Sequence, residues 1–236
     1  MKLAKINTYD GQFLIPNSDN HIKYALETDG VWEKPTLDIC REYLKIDSIV
    51  IEVGAHIGSH TIAIAKICKA GVVYAFEMQR LIFNLNVTNS IINGLTNIIH
   101  FREAVSDTNE LKFFQEVDYS NAYLDKEINS GGVFIAMVDK NGIVPTNLIT
   151  LDNKFKFLDK LDLLKIDAEG HEINVLKGAM ELIKKHKPLI LTEFDRKNQQ
   201  EIIDLLPDYN FEDVSHVYDG KIKKDIINFM YKGTPK

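Results

Sequence analysis

The sequence predicts an α/β fold with a mostly parallel, seven-stranded sheet, and three features of the chain indicate it. Between residues 48 and 206, short apolar segments rich in β-branched residues alternate with longer segments of helical periodicity. A turn containing Gly54 and Gly58 joins the first of these strands to its helix, and several strands end on an acidic residue. Strands joined through helices pair in parallel by right-handed crossovers, so their carboxyl ends are expected to share one rim of the sheet.

Composition narrows the class of protein. The chain has 236 residues, 45% hydrophobic and 26% charged, as in ordinary globular proteins with a large core. We expect a single domain over 1–236, with an N-terminal extension at 1–46 and an insertion at 107–150. The formal net charge of −6 offers no basic surface for nucleic acid. No apolar run approaches the ~20 residues of a membrane span.

The N-terminal residues and the cysteines predict a cytoplasmic protein. Residues 1–7 lack the apolar core of a secretory signal. Cys40 and Cys68 fall in predicted helices, without C-x-x-C or metal-ligand spacing. We therefore expect two buried, reduced thiols, which suit a reducing compartment.

The N-terminal extension is predicted to hold a hairpin and a helix. Apolar and polar residues alternate over 3–15 around Asp10-Gly11, a two-residue turn typical of hairpins. Residues 35–46 have helical periodicity, and Pro35 stands in the first turn, where a missing amide hydrogen costs nothing.

The core of the chain alternates strands and helices. The predicted strands cover residues 48–53, 72–77, 98–101, 161–167 and 189–193. The predicted helices cover residues 59–69, 80–92 and 198–206. One further predicted helix begins at 168–172 and is stopped by Pro188. Two closing strands, at 210–217 and 225–232, are predicted to form an antiparallel edge hairpin around Asp219-Gly220.

Two segments outside this alternation are candidates for contact with a substrate. The insertion is either a lid at the carboxyl side of the sheet or a structural β-arm, and both interpretations stay open. Trp32, beside the acid Glu33, is either a packing residue or a substrate contact; Glu33, and Tyr119 and Asn121 in the insertion, are further candidates for contact with a substrate. The insertion is predicted to contain the strands Leu111–Val117 and Val133–Val138.

Acidic residues are concentrated at the predicted strand ends. Four strands end on Glu52, Glu77, Asp167 and Glu193, and a fifth runs into Glu103. Acids crowded on one rim are unfavourable without compensation, so the rim favours a cationic ligand, hydroxyl donors or a metal. A dinucleotide would bring a repelled pyrophosphate, whereas S-adenosylmethionine (SAM) brings a sulfonium, an ammonium and no phosphate. Charge therefore favours SAM as the cofactor.

Positions along the rim suggest roles for its residues. Gly54 and Gly58 allow the backbone to approach a cofactor closely. Glu52 is placed near the amino-acid end of SAM, and Glu77, which follows the glycine turn by ~20 residues, is placed at the ribose diol. The remaining predicted cofactor contacts are Ala55, His56, Thr61, Met78, Glu103, Ala104 and Asp167, with Glu103 and Ala104 at the adenine.

Several segments of the chain resemble the FkbM-type methyltransferases. They are Glu52–Thr61 (E-V-G-A-H-I-G-S-H-T), Tyr74–Glu77 (Y-A-F-E), Phe83 with Asn89, Asn93-Gly94, Ala104–Asp107, Leu164–Glu172 (L-K-I-D-A-E-G-H-E) and Leu176–Ala179 (L-K-G-A). The resemblance implies a Rossmann-like class I methyltransferase fold, SAM as methyl donor and O-methylation, often of a sugar in a glycan or glycosylated metabolite. The family usually has Asn where His56 stands and Pro where Met78 stands.

Methyl transfer to a hydroxyl requires a group that accepts the proton of that hydroxyl. SAM carries its own leaving group, so the enzyme mainly aligns the hydroxyl, methyl and sulfur, and a base or a metal assists. The candidates are Asp167, Glu169, His171 and Glu193, although His171 can instead cap its helix or hold Asp167. Asp167 and Glu193 also resemble the pair that holds Mg²⁺ in catechol-type O-methyltransferases, which suggests Mg²⁺ or Mn²⁺.

Two other functions compete with methyl transfer. An NAD(P)-dependent oxidoreductase would need a third glycine in the turn and a Tyr-x-x-x-Lys pair, and the sequence has neither. A non-catalytic protein with a SAM-binding fold is the second alternative, but this chain keeps its acid and glycine turn. The expected partner is a small-molecule or glycan acceptor; no motif specifies which hydroxyl is methylated or the oligomeric state.

Overall fold

The computed structural model describes residues 2–19, 21–115, 143–195, 198–214 and 228–236. Its helices are α1 (Ile22–Thr28), α2 (Lys34–Tyr43), α3 (Ser59–Ile67), α4 (Arg80–Ile92), α5 (Leu151–Lys154), α6 (Glu172–Lys177), α7 (Met180–His186) and α8 (Gln199–Leu205). Its strands are β1 (Leu3–Asn7), β2 (Gln12–Pro16), β3 (Ile49–Val53), β4 (Val72–Phe76), β5 (Ile98–Phe101), β6 (Ala104–Val105), β7 (Glu110–Phe114), β8 (Val144–Ile149), β9 (Leu163–Ile166), β10 (Leu189–Asp195), β11 (Tyr209–Asp213) and β12 (Asn228–Pro235).

A seven-stranded sheet forms the centre of the fold, with strand order β11-β12-β10-β9-β3-β4-β5. The five strands from β10 to β5 are parallel, and β12 pairs antiparallel with both β10 and β11. This arrangement confirms the predicted mostly parallel sheet with an antiparallel C-terminal pair. The turn predicted at Asp219-Gly220 lies outside the described residues.

Helices cover both faces of the sheet, which explains why its central strands are almost wholly apolar. Neighbouring residues point to opposite faces of a strand. Accordingly Val50 and Leu163 enter one buried cluster with α2 and α3, while Ile51 and Leu164 enter the other with α6 and α7. Strands buried on both faces need continuous apolar runs, and these are the runs that the sequence contains.

The N-terminal hairpin is confirmed, and a helix not predicted from the sequence follows it. β1 and β2 pair antiparallel from Leu3 opposite Pro16 to Asn7 opposite Gln12. The unpredicted helix is α1, whose first amides are capped by the Asp19 carboxylate. An acid before apolar residues at helical spacing was the signal that could have identified it.

Two asparagines of α4 attach the hairpin to the main body. Asn89 Oδ1 accepts the Leu14 amide at 2.7 Å, and its Nδ2 donates to the Leu14 carbonyl at 3.1 Å and to the Ile57 carbonyl at 2.8 Å. In the same way, Asn93 Oδ1 accepts the Gln12 amide and Asn93 Nδ2 donates to the Gln12 carbonyl. The side chains thus replace a partner strand along the open edge of β2, which would otherwise leave polar backbone unsatisfied.

The contrast between these asparagines gives a stability prediction. We expect Asn89→Ala to lower the free energy of unfolding by about 2–4 kcal/mol, because buried backbone groups lose their partners at about 1–3 kcal/mol each. Asn93→Ala removes a similar pattern at a solvent-exposed position, where water replaces the side chain, and should cost less than about 1 kcal/mol. Urea unfolding of both variants measures the difference; equal losses would contradict the proposed role of burial.

The predicted single helix after residue 168 is wrong, because the structure has two helices there. α6 ends at Lys177 and α7 begins at Met180. A Cβ at Gly178 would lie 2.0 Å from the Ser106 carbonyl oxygen, so the chain passes too close to its neighbour for another residue type. The Asp152 carboxylate accepts the amides of Glu181 and Leu182 and thereby caps the second helix.

The strand predicted at 189–193 is longer than expected. β10 continues to Asp195, and Glu193 pairs with Met230 of β12 inside the ladder. The prediction that Glu193 ends its strand is therefore wrong. The antiparallel partner explains the extension, since β12 supplies hydrogen bonds beyond the point where β9 stops.

Part of the predicted insertion forms a separate three-stranded sheet, β6-β8-β7. β7 falls on the first predicted strand but ends at Phe114, whereas the segment 133–138, Tyr119 and Asn121 lie outside the described residues. Ala104, Phe114 and Leu148 form a small buried cluster on this sheet, with Met78 packed against it.

Two further expectations concern the whole fold. Cys40 and Cys68 are buried and unpaired, which confirms the predicted burial of both thiols. Burial raises the pKa of Cys40 to about 12 and that of Cys68 to about 11, so both stay protonated.

No helix in the described parts of the chain is long and apolar enough to cross a bilayer.

Candidate active site

The glycine turn and the end of β9 are in direct contact at the rim of the sheet. Gly54 follows β3 with φ of 77°, and a Cβ there would lie 1.8 Å from the Asp167 carbonyl oxygen. The Asp167 amide in turn donates to the Val53 carbonyl at 3.0 Å. Only glycine allows this approach, so the turn brings the strand-end residues of β3 and β9 into one site.

Asn86 of α4 holds the glycine turn from behind. Its Nδ2 donates to the His56 carbonyl at 3.0 Å and lies 3.3 Å from the Ala55 carbonyl, and the residue is 1% exposed. His100 Nε2 lies 3.1 Å from Asn86 Oδ1. His56 itself has φ of 48°, a left-handed conformation that Asn adopts more readily than His. Sequence reasoning did not identify Asn86 as part of the site.

A buried ion-pair network lies under the turn. Thr61 Oγ1 donates to Glu52 Oε2 at 2.6 Å, and Lys165 Nζ lies 3.6 Å from both Glu52 Oε1 and Asp167 Oδ2. Burial raises the pKa of Glu52, while the charge of Lys165 opposes the shift. Burial alone would lower the pKa of Lys165, but the charges of Asp167 and Glu52 outweigh it and raise the pKa. Lys165 therefore stays charged and compensates the rim.

These contacts qualify the role predicted for Glu52. The side chain is 1% exposed, and its two oxygens face Thr61 and Lys165. Contact between Glu52 and the amino-acid end of a cofactor stays a prediction. The signal for Lys165, which sequence reasoning missed, was a single charged residue within an otherwise apolar strand.

Glu77 is buried directly after β4 and held by backbone amides. Its Oε2 accepts the His56 amide at 3.0 Å and its Oε1 accepts the Gln79 amide at 2.8 Å. Burial raises the pKa of Glu77 to about 7, these hydrogen bonds oppose the rise, and the charge of Asp167 adds to it. The carboxylate is thus pre-positioned beside the glycine turn, as the predicted ribose contact requires.

A second group of acids lines the rim at the ends of β9 and β10. Burial, then the charges of Asp167 and Glu172, raise the pKa of Glu169 to about 7. Burial, then the charges of Asp167 and Glu33, raise the pKa of Glu193 to about 10. Electrostatic coupling therefore places Glu33, a residue of the N-terminal extension, at the same rim.

Glu172 shapes the turn that carries two of these acids. Its Oε1 accepts the amides of Ala168 at 3.1 Å and Gly170 at 2.9 Å. The backbone of Glu169, between them, is left-handed with φ of 49°. Such a conformation is unfavourable for a non-glycine residue and needs supporting contacts, which Glu172 provides.

The His171 ring points to a different neighbour from the one considered in the sequence. Its Nε2 lies 2.9 Å from Ser106 Oγ, and burial lowers the pKa of the ring while the charge of Asp107 opposes this. The residue stands at the N-terminus of α6 without a side-chain capping bond. A direct catalytic role for His171 stays a prediction.

The predicted adenine end of the site lies beside the small sheet. Glu103 forms an ion pair with Lys154, whose Nζ lies 4.1 Å from the centroid of the Phe101 ring. Ala104 opens β6 and is buried, with Met78 packed nearby. The charge of Glu103 is therefore compensated within the protein.

The residues described do not complete a metal site. No group of three or more His, Cys, Asp or Glu side chains is placed to hold a metal ion in residues 2–19, 21–115, 143–195, 198–214 and 228–236. Mg²⁺ is commonly held by one or two carboxylates, with waters completing its octahedron. Metal binding by Asp167 and Glu193 therefore stays a prediction.

Comparison with known proteins decides the family. Residues 52–212 match the family model described as the methyltransferase FkbM domain. The chain belongs to the FkbM methyltransferase family. The match covers the glycine turn, the acids from Glu52 to Glu193 and both halves of the split helix. Membership confirms the resemblance noted in the sequence and sets aside the oxidoreductase alternative. No curated protein matches the whole sequence significantly.

The fold is also similar to those of solved structures that include a methyltransferase, an rRNA methylase and a complex with AdoMet. A methyltransferase FkbM from Methylobacillus flagellatus KT is 17% identical, with a TM-score of 0.53 over 80% of this chain and 44% of that one. This chain therefore spans less than half of that FkbM protein. An rRNA methylase from Streptococcus thermophilus is 10% identical (TM-score 0.50; 85% and 93% covered), and M. jannaschii TYW2 in complex with AdoMet is 13% identical (TM-score 0.50; 99% and 87% covered). At these identities the likeness shows the class I methyltransferase fold.

Proposed function

We propose that the protein is a SAM-dependent O-methyltransferase that acts on a hydroxyl of a sugar, in a glycan or a glycosylated metabolite. The observation that carries the proposal is that Asp167 and Glu169 follow β9 beside the glycine turn, and that the pKa values of Glu169 and Glu193 are raised to neutrality or above. Family membership supports methyl transfer, and the acids supply what a hydroxyl acceptor needs: hydrogen-bond acceptors for its neighbours and a base for its proton.

SAM as the donor is supported by the other half of the site. Glu77 presents a carboxylate at the position where related sheets bind the ribose diol, and Gly54 and Gly58 leave the backbone accessible beside it. The neighbouring M. jannaschii structure contains AdoMet in the same fold. In this proposal the cofactor lies along the ends of β3 and β4, and the acceptor lies beyond β9.

Among the four candidates, we propose Glu169 as the general base. Its pKa of about 7 allows it to be ionised at neutral pH and to accept a proton efficiently. Glu193, with a pKa of about 10, would be protonated there and would donate a hydrogen bond to the acceptor instead. Asp167 is 3.6 Å from Lys165 and serves in this proposal to orient the acceptor and the sulfonium.

A pH profile tests this assignment. A base must be deprotonated to act, so kcat at saturating SAM should rise with pH and reach half its plateau near pH 7, following Glu169. Glu169→Gln should lower kcat by about 10²–10⁴-fold, the usual contribution of a general base, and should remove that inflection. Saturating SAM keeps the titration of Glu77 out of the profile. If Glu169→Gln keeps the inflection near pH 7, a group other than Glu169 is the base.

The remaining expectations are part of the same proposal. The chain is proposed to be a single cytoplasmic domain whose segment 107–150 covers the acceptor. The formal net charge of −6 supports a small-molecule or glycan acceptor over nucleic acid. A filter-binding assay with ribosomal RNA at low salt tests this choice, and salt-dependent binding would contradict it.

A further inference from the structure

The carboxamide of Asn86 has one favourable orientation against the glycine turn. Its Nδ2 donates to the His56 carbonyl at 3.0 Å and lies 3.3 Å from the Ala55 carbonyl. The reversed orientation would place Oδ1 against two carbonyl oxygens, which is repulsive. A Cβ at Gly58 would lie 2.9 Å from Asn86 Oδ1, so the side chain packs closely against the turn. Oδ1, which can only accept a hydrogen bond, therefore needs a donor on its other side.

His100 of β5 is placed to be that donor. Its Nε2 lies 3.1 Å from Asn86 Oδ1 and 3.0 Å from Ser90 Oγ. Ser90 Oγ donates its own hydrogen to the Asn86 carbonyl at 3.0 Å, so toward His100 it can only accept. Both neighbours of Nε2 are thus acceptors. Burial lowers the pKa of His100, so the neutral ring carries one hydrogen, and these contacts place it on Nε2.

The turn depends on Asn86 because of its backbone conformation. His56 is left-handed with φ of 48°, which is unfavourable for a non-glycine residue and needs contacts that hold it. Its amide donates to Glu77 Oε2 at 3.0 Å, and its carbonyl accepts from Asn86. A carboxamide free to rotate would lose the second contact. The hydrogen on His100 Nε2 removes that freedom, because it fixes which end of the carboxamide faces the turn.

We propose that His100 is a positioning residue for the cofactor: its Nε2–H group orients Asn86, and Asn86 holds the glycine turn in the conformation that binds SAM. The inference rests on the proposed function, because it takes SAM as the ligand of the turn. His100 acts in this proposal through one side chain and not by contact with SAM. Its effect is therefore expected on the affinity for the cofactor.

Nitrogen-15 NMR of the wild-type protein tests the position of the hydrogen. Long-range ¹H–¹⁵N correlation spectra at pH 8 distinguish an imidazole nitrogen that carries a hydrogen from one that does not. The His100 signals are those missing from the spectrum of His100→Gln. We expect the hydrogen on Nε2. A hydrogen on Nδ1 would overturn the proposal, because His100 Nε2 and Asn86 Oδ1 would then both be acceptors.

Calorimetry with S-adenosylhomocysteine tests the effect on binding. His100→Met keeps a long side chain without a donor, whereas His100→Gln places an N–H group near the position of Nε2. We expect His100→Met to weaken binding about tenfold, the equivalent of about one hydrogen bond, and His100→Gln to stay within about threefold of wild type. Ile99→Thr, at an exposed position of the same strand, is the control and should bind as wild type does. Thermal unfolding confirms that each variant is folded.

A double-mutant cycle tests whether His100 acts through Asn86. In the Asn86→Ala background, His100→Met should cause no further loss of affinity, because the side chain that it orients is absent. A tenfold loss that persists in that background would overturn the proposal, as would wild-type binding by His100→Met, and either result leaves the methyltransferase proposal intact. Wild type that fails to bind S-adenosylhomocysteine contradicts the proposed function, and with it the role of His100 in SAM binding.

Discussion

Lys165→Met should lower the free energy of unfolding by about 3–5 kcal/mol, the usual cost of removing one partner from a buried ion pair. Lys165 is 1% exposed and lies 3.6 Å from both Glu52 and Asp167. Without the ammonium, the fully buried Glu52 carboxylate retains only its bond from Thr61. The loss is expected mainly from Glu52, because Asp167 is partly exposed and water can screen it.

Urea unfolding at pH 7 measures this effect. Lys69→Met, at an exposed position just after α3, is the matched control and should change stability by less than about 0.5 kcal/mol. The double variant Lys165→Met with Glu52→Gln should recover part of the loss, because one buried charge is removed with its partner. A loss below about 1 kcal/mol in Lys165→Met would show that Lys165 does not compensate these acids.

Glu77→Ala should weaken binding of S-adenosylhomocysteine by about 100-fold or more. The proposed contact is a pair of hydrogen bonds from the ribose diol to a carboxylate, and bonds to a charged group contribute about 1.5–3 kcal/mol each. Two such bonds correspond to at least about 100-fold in affinity. The variant also releases the amides of His56 and Gln79, which loosens the glycine turn.

Calorimetry with Glu193→Ala as the comparison tests the division of the site. Glu193 is placed on the acceptor side, so its variant should bind S-adenosylhomocysteine within about threefold of wild type, a difference below 1 kcal/mol. Thermal unfolding of both variants separates lost contacts from lost folding. Equal weakening in the two variants would mean that donor and acceptor halves are not arranged as proposed.

The sequence was sufficient to predict that acids meet at one rim of the sheet, but not which buried residues pair with them. Glu77 and Asp167 follow their strands and Glu52 lies one residue before the end of β3. The order and direction of these strands could be inferred from alternation, so their meeting at one edge was predictable. The pairing of Lys165 with Glu52 depends on the register in which β3 lies beside β9, where these residues are opposite. Register between residues 113 positions apart, as Glu52 and Lys165 are, has no local signal in one sequence.

Support from α4 was missed for a similar reason. Asn86 and Asn89 have the composition of an ordinary polar helix face, and only the folded chain shows them reaching backbone carbonyls of the glycine turn. The break at Gly178 was equally hidden, because the apolar stripe at Ile173, Leu176 and Met180 continues through it. Close approach of the Ser106 carbonyl, a tertiary contact, overrides the helical pattern there.

The central claim is methyl transfer from SAM to oxygen, and one measurement tests it most directly. The protein is incubated with SAM labelled with ¹³C on its methyl group and a panel of glycans and amino sugars. The product is then examined by NMR for coupling between the labelled carbon and the adjacent sugar proton. The account predicts a methyl ether, with one S-adenosylhomocysteine formed per methyl transferred. Label attached to nitrogen or carbon of the acceptor would contradict it.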